Sequence, residues 1–267
     1  MNRIALKVPQ LFQAVVICLV LTNCTNSQGL NLFSADYDLK LGQQVSAEIA
    51  SDPKQFPVLP EGGNEEVYRY VRGISKNIVN SGKVKYRNEF AWEVKIINDD
   101  KTLNAFCTPG GFIYVYTGLI KFLDSEDQLA GVMGHEIAHA DLRHSTRQLT
   151  KQYGISVLLE LVTKNPNPST VEQIAVGLLN LQFSRTDEKE ADGQSVVYLC
   201  NSQYPADGCA GFFKKMEGSG SNPPEFLSTH PNPGNRVEAI EKKAKELGCS
   251  AGQKRQTEYQ RIKRLLD

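Results

Sequence analysis

His135, Glu136 and His139 stand within "GHEIAHADLRHS", a stretch that holds three of the chain's four histidines. On a helix, residues four apart lie about 40° apart around the axis, so His135 and His139 leave one face a turn apart and their imidazoles can reach one ion. Glu136 lies about 100° round from His135, close enough to touch a metal-bound water without ligating the metal itself. The pattern is that of zinc-assisted hydrolysis. The ion lowers the pKa of its water to about 7 and polarises a carbonyl, and the carboxylate takes the proton. With so few histidines to place, this spacing speaks for a metal site rather than coincidence.

Two imidazoles do not make a catalytic zinc site, so a third ligand must come from elsewhere. A metzincin would carry a histidine six residues beyond His139, and that position is Ser145. His144, five residues on, lies about 140° round a continuous helix and reaches the same ion only if the helix breaks. It reads as a capping or supporting group. The remaining option is a carboxylate on another helix, and "SRTDEKEADGQS" supplies one. Glu188 and Asp192 are four apart and share a face. Glu188 is expected as the third ligand, and Asp192 as the acceptor that takes the second N–H of a ligand histidine and orients it. Glu190 points half a turn away and reads as solvated.

These residues need a scaffold. From Asp36 to about Gly82 the periodicity is helical, broken by the proline-bearing "DPKQFPVLPEGG". The runs "FAWEVKIIND" and "GFIYVYTG" are rich in β-branched and aromatic residues and are expected to pair as antiparallel strands, joined by "DKTLNAFCTPG". Ser125 with two acids behind it opens a long helix that carries the histidines. The apolar "ISVLLELV" and "VEQIAVGLLNLQF" suggest a helical hairpin that is core, lid or membrane-facing, with core as the default. The expected fold class is α+β: a mostly helical zincin-like domain with a small antiparallel sheet beside the active-site helix. One catalytic domain spans 36–250. A basic helix, 251–267, follows it, with Ile262 and Leu265 facing inward.

At 267 residues and 40% hydrophobic content the chain can bury a sizeable core. Its 30 basic and 30 acidic residues cancel, so nothing in the balance asks for a nucleic-acid partner. Residues 1–24 read as an export signal: Arg3 and Lys7, then the apolar "LFQAVVICLVL", then "LTNC". Cys24 resembles the lipid-acceptor cysteine of bacterial lipoproteins, with residues 25–35 as a tether and Thr25 favouring the outer membrane. Export implies a periplasmic, oxidising location and a bridge between two of Cys200, Cys209 and Cys249, with Cys107 left out.

"HEIAH" followed by "SRTDEKEAD", with "NAFCTPGGFIYVYTGLI" before and "STHPNPGNRVEAI" after, resembles the gluzincin zinc metallopeptidases of the CAAX prenyl protease, HtpX and BepA type. The resemblance runs from about Asp36 to Leu247 and is to the soluble, exported branch. It implies one zinc ion per chain and an endopeptidase acting on unfolded or misassembled envelope proteins. The alternative is an assembly factor or chaperone for outer-membrane proteins whose protease activity is secondary or latent. It also implies that Asn104 and Ala105 lie on an edge strand beside the cleft, where an extended peptide can add by main-chain hydrogen bonds. The same stretch also reads as a plain hairpin turning at Pro109, Gly110 and Gly111. Cys107, where the family often has a small apolar residue, is not expected to be a nucleophile. His230 matches a family histidine near the metal. It can stabilise the oxyanion as a donor or take the open metal position and hold the enzyme latent. Arg236, in the matching place, is expected to orient this region or bind the intermediate.

Overall fold

Ser34 accepts a hydrogen bond from the Tyr37 amide and so starts helix α1 (Ala35–Ser51). The helix buries Tyr37, Leu41, Val45 and Ile49 along one stripe. In this computed structural model the described residues are 31, 33–161, 167–179, 181–218, 226–231 and 234–267. The export-type segment 1–24 and Cys24 lie outside them. Residues from Phe33 to Asp267 form one unit. Among the described residues no helix is long and apolar enough to cross a membrane.

Helix α2 (Glu65–Val79) is followed by β1 (Glu93–Ile97), β2 (Ala105–Thr108) and β3 (Phe112–Tyr116). The sheet order is β1-β3-β2, with β2 antiparallel and β1 parallel to β3. This corrects the expected antiparallel pairing of the two long β-type runs. The segment joining them carries a strand of its own, β2, which ends at a turn where Gly110 and Gly111 adopt φ of 75° and 85°. Two reversals of direction make β1 and β3 run the same way, so the sheet is mixed. Alternation then divides its side chains: Ala105, Cys107, Ile113 and Val115 face one apolar cluster, and Phe106, Phe112 and Tyr114 the other.

Helix α3 (Thr117–Phe122) leads to α4 (Glu126–Asp141), which carries the H-E-x-x-H residues and is buried along nearly its whole length. Ser125 is its N-cap residue, as expected, though its side chain makes no cap hydrogen bond. The expected long helix is in fact two. It breaks at Leu142 and Arg143, and α5 (His144–Tyr153) starts afresh. Arg143 sits at φ 61°, in the left-handed region, and its guanidinium binds Asp38 and the carbonyls of Phe33 and Ser34. These bonds to α1 hold the break in place.

The hairpin is formed by α6 (Ile155–Leu161) and α7 (Pro168–Leu179). Ile174 and Leu178 join the α1 cluster, which makes that face core as expected, whereas Ile155 and Val176 are exposed. Helices α8 (Arg185–Leu199) and α9 (Gly208–Gly218) pack directly on α4. They approach it closely because glycines line the crossing. A Cβ on Gly131 would come within 2.0 Å of the Cys209 amide nitrogen, and one on Gly134 within 2.6 Å of Ser195 Oγ. Ser195 Oγ donates to the Gly131 carbonyl across this gap at 3.0 Å.

The remaining helices are α10 (Phe226–Thr229), α11 (Arg236–Glu246) and α12 (Gln256–Lys263). A disulfide joins Cys200, at the end of α8, to Cys249 beyond α11, whereas Cys107 and Cys209 are buried thiols. The bridge is one of those expected. Helix α12 buries Ile262 and Tyr259, whose hydroxyl donates to the Ile120 carbonyl. Leu265, expected inside, lies past the end of α12 and is 45% exposed. This helix therefore shares the core of the unit rather than trailing from it.

Gly131→Ala should destabilise the fold by about 1–3 kcal/mol or more, because backbone rather than a flexible side chain meets the new methyl. Gly193→Ala, in the middle of α8 with open space around it, should instead stabilise by about 0.5–1 kcal/mol. Urea unfolding of the two variants checks the contrast.

Candidate metal centre

Helical spacing puts His135 and His139 a turn apart, and the fold turns both rings inward with their Nε2 atoms 2.9 Å apart. The neighbouring helix is equally local in origin. Ser184 and Asp187 form a reciprocal capping box that starts α8, so Glu188 and Asp192 fall on the face turned to α4. The glycine-lined crossing closes the gap. Glu188 Oε2 lies 3.5 Å from His135 Nε2, and Glu188 Oε1 lies 3.3 Å from His139 Nε2. The three expected ligands are thus brought together with no solvent exposure.

Asp192 stands where expected. Its Oδ1 accepts from His135 Nδ1 at 2.9 Å, which leaves the Nε2 lone pair pointing into the cluster. Arg236, the first residue of α11, grips the same carboxylate with two bonds of 2.7 Å and brings Nη1 to 3.0 Å from Glu188 Oε2. Its guanidinium also lies over the Phe213 ring at 4.1 Å. Arg236 is therefore placed against the acidic face of α8.

His230 follows α10 and is fully buried. Its Nδ1 is 3.0 Å from Glu188 Oε1 and 3.2 Å from His135 Nε2, and its Nε2 is 3.5 Å from Glu136 Oε1. Stacking on Phe226, with ring centroids 4.3 Å apart, sets the ring's plane. In this conformation His230 joins the ligand cluster instead of standing off from it.

His144 is the residue whose surroundings the sequence least foretold. The break at Arg143 swings it back so that its Nδ1 meets His139 Nδ1 at 2.9 Å, while its Nε2 lies 3.3 Å from Glu190 Oε2. Glu190, read as solvated, is half-buried and also faces Arg147. The correction has a simple cause: α5 packs its first turn across the start of α8, a contact that the periodicity of α8 alone does not reveal. Phe183, also unforeseen, stacks on His139 with centroids 3.9 Å apart.

The electrostatics follow from burial and charge. Burial raises the Glu136 carboxyl, only partly offset by His230 and His135. Burial would raise Glu188 as well, but the imidazoles of His230, His139 and His135 outweigh it and hold the carboxylate ionised. Burial and the neighbouring His135 depress His139 far below the usual histidine range. Burial and the Arg147 cation lower His144 to about 3. The direction of both shifts favours the neutral rings, and for His139 that is the form that ligates a metal.

The residues fit a zinc ion. Donor atoms about 2.1 Å from a tetrahedral zinc stand about 3.4 Å from one another, close to the separations above. Glu136 Oε1 is a buried carboxylate oxygen with no hydrogen-bond partner, a costly condition that a nearby cation relieves. Three carboxylates, Glu136, Glu188 and Asp192, converge on one guanidinium, Arg236, an excess of buried acid that a divalent ion would offset. Oxygen and imidazole nitrogen suit zinc by chemistry as well as spacing.

Asn104 and Ala105 occupy the edge of the sheet beside α4, and both are buried. Tyr116 donates to the Asn104 carbonyl, so Ala105 and Cys107 turn their main-chain groups outward by antiparallel alternation. That outer side is partly taken. Asn104 Oδ1 accepts from the Ala105 amide at 2.9 Å, and the Phe226 amide donates to the Leu103 carbonyl at 3.2 Å. The Cys107 thiol is pushed up by burial and by the Glu136 charge, which is no setting for a nucleophile.

A family profile described as "Peptidase family M48" matches residues 65–244. The mitochondrial metalloendopeptidase OMA1 of Schizosaccharomyces pombe is 29% identical over 230 residues, covering 81% of this chain and 64% of its own length. The OMA1 of Arabidopsis thaliana is 34% identical over 143 residues, 53% of this chain and 29% of its own length. The beta-barrel assembly-enhancing protease of Escherichia coli K12 is 29% identical over 167 residues, 57% of this chain and 34% of its own length. The chain thus spans less than two thirds of the length of these relatives.

Arg236→Met should cost about 3–5 kcal/mol, because it leaves buried carboxylates uncompensated. Adding Asp192→Asn should recover part of the loss, and chemical denaturation of the single and double variants measures both.

Proposed function

The chain belongs to peptidase family M48, and we propose that it is a zinc-dependent endopeptidase of a bacterial cell envelope that acts on unfolded or misassembled proteins. The observation that carries the chemical part is the convergence of His135, His139 and Glu188, with Glu136 beside them. The envelope reading is supported by the lipoprotein-like segment ending at Cys24 and by the named role of the beta-barrel assembly-enhancing relatives. Lipid attachment at Cys24 would place the enzyme at the inner face of the outer membrane.

Zinc held by His135, His139 and Glu188 supplies Lewis-acid polarisation of water and of the scissile carbonyl. The rest is done by the chain's own side chains. Glu136, with its carboxyl raised by burial, takes the proton of the attacking water and returns it to the departing amine. Asp192 and Arg236 keep His135 turned toward its task. His230 has its carboxylate neighbours to thank for its basicity: burial lowers it, but Glu188 and Glu136 outweigh burial and favour the proton. So charged, its Nε2 can donate to a developing oxyanion.

The substrate must first gain entry. Among the described residues His135, Glu136, His139 and Glu188 are at most 1% exposed, and α10 is tied to Leu103 on one side and Phe183 on the other. Release of the segment Phe226–His230 would free the Leu103 carbonyl at the start of β2, an edge where an extended peptide can pair without demands on its sequence. The placement of His230 among the ligands favours a second reading, in which the resting protein is latent and assists assembly of outer-membrane proteins.

Glu136→Gln should keep one zinc per chain and lose casein hydrolysis by about 10²-fold or more. Undiminished cleavage by this variant overturns the mechanism. Restoration of an envelope-assembly defect by the same inactive variant would favour the assembly reading.

A further inference from the structure

His139 must offer its Nε2 lone pair to a metal, and a neutral imidazole that does so carries its proton on Nδ1. That proton needs an acceptor. For His135 the acceptor is Asp192; for His139 the atom in place is Nδ1 of His144, at 2.9 Å and buried. Resting on the zinc reading of the site, we propose that His144 is a positioning residue that fixes the tautomer and plane of His139.

The hydrogen bonds can run in only one direction. If His144 Nδ1 accepts, the His144 proton sits on Nε2, and Nε2 must donate. It faces Glu190 Oε2 at 3.3 Å, with Asp187 Oδ1 further off at 3.9 Å. Arg147 anchors this end, 3.0 Å from Asp187 and 3.6 Å from Glu190, and Gln148 and Ser184 hold Asp187 in place. The chain His139, His144, Glu190 thus ends on the first turns of α8, the helix that carries Glu188. Two ligands from α4 are steadied by different groups, and both sets of supports reach across to α8.

His144, Asp187 and Glu190 also stand close enough together to suggest a second metal site. Their surroundings argue otherwise. The Arg147 guanidinium already lies against both carboxylates, Asp187 is engaged in the helix cap, and His144 spends Nδ1 on His139. A cation there would face a fixed positive charge.

The break in the helix makes the arrangement possible. On an uninterrupted helix His144 would lie about 140° from His139 and point elsewhere. Arg143, left-handed and tied to α1, returns the ring to its neighbour.

Two substitutions separate the hydrogen bond from mere packing. His144→Phe keeps a ring against Phe183 but has no acceptor, whereas His144→Asn loses the ring and keeps an acceptor oxygen where Nδ1 stood. Zinc affinity of the full chain is measured by chelator competition, with the thermal midpoint recorded for each variant. His144→Phe should lose about 10- to 100-fold in zinc affinity, and His144→Asn should remain within about threefold of wild type. The visible spectrum of the cobalt-loaded protein should shift in the Phe variant and persist in the Asn variant. Wild-type zinc affinity in a folded Phe variant overturns the proposal. A tenfold loss in a folded Asn variant does so as well, whatever the Phe variant does. A wild-type chain that takes up no zinc overturns the functional reading itself, and this inference with it.

Discussion

The close crossing of α4 and α8 is the constraint on which the rest of the structure depends. Gly134 lets the two helices approach until Glu188 reaches His135 and His139, Ser195 ties them with a bond to the Gly131 carbonyl, and Gly131 gives the same room to α9. A side chain at Gly134 would press on Ser195 of the acidic helix, and one at Gly131 on the backbone of α9. The site is therefore built on two rigid helices rather than on loops, the arrangement that best holds donor atoms to within tenths of an ångström.

Such closeness has an electrostatic consequence. Three carboxylates are drawn into a region buried from solvent, where unpaired charge is expensive. Arg236 answers two of them by binding Asp192 and lying against Glu188. The remainder of the negative charge is suited to a dication. Stability and metal affinity are thus coupled through one network, and a change that loosens Arg236 is felt at His135 by way of Asp192.

The same helices account for access. β2 lies against α4, so the strand edge that would hold a peptide is also a wall of the site. The short helix α10 bonds to that edge at Leu103 and delivers His230 to the ligands. Bonding to the start of that edge and filling the site are therefore done by one segment. Entry of a peptide along that edge and release of His230 would be a single event.

By itself the sequence determined the local geometry of the chemistry: His135, Glu136 and His139 on one helix, Glu188 and Asp192 on the same face of another, Ser125 at a helix start. Helical periodicity sets the angle of a side chain around its own axis, and these relations lie within single helices. The α+β class was legible for the same reason. Only the tertiary structure decided which axes meet and how closely. It decided that Glu190 turns to His144, that a break at Arg143 brings His144 back to His139, and that β1 and β3 pair in parallel. It also selected Cys249 as the partner of Cys200 and seated His230 among the ligands. Each of these depends on contacts between segments far apart in the chain, where a periodic pattern carries no information about distance.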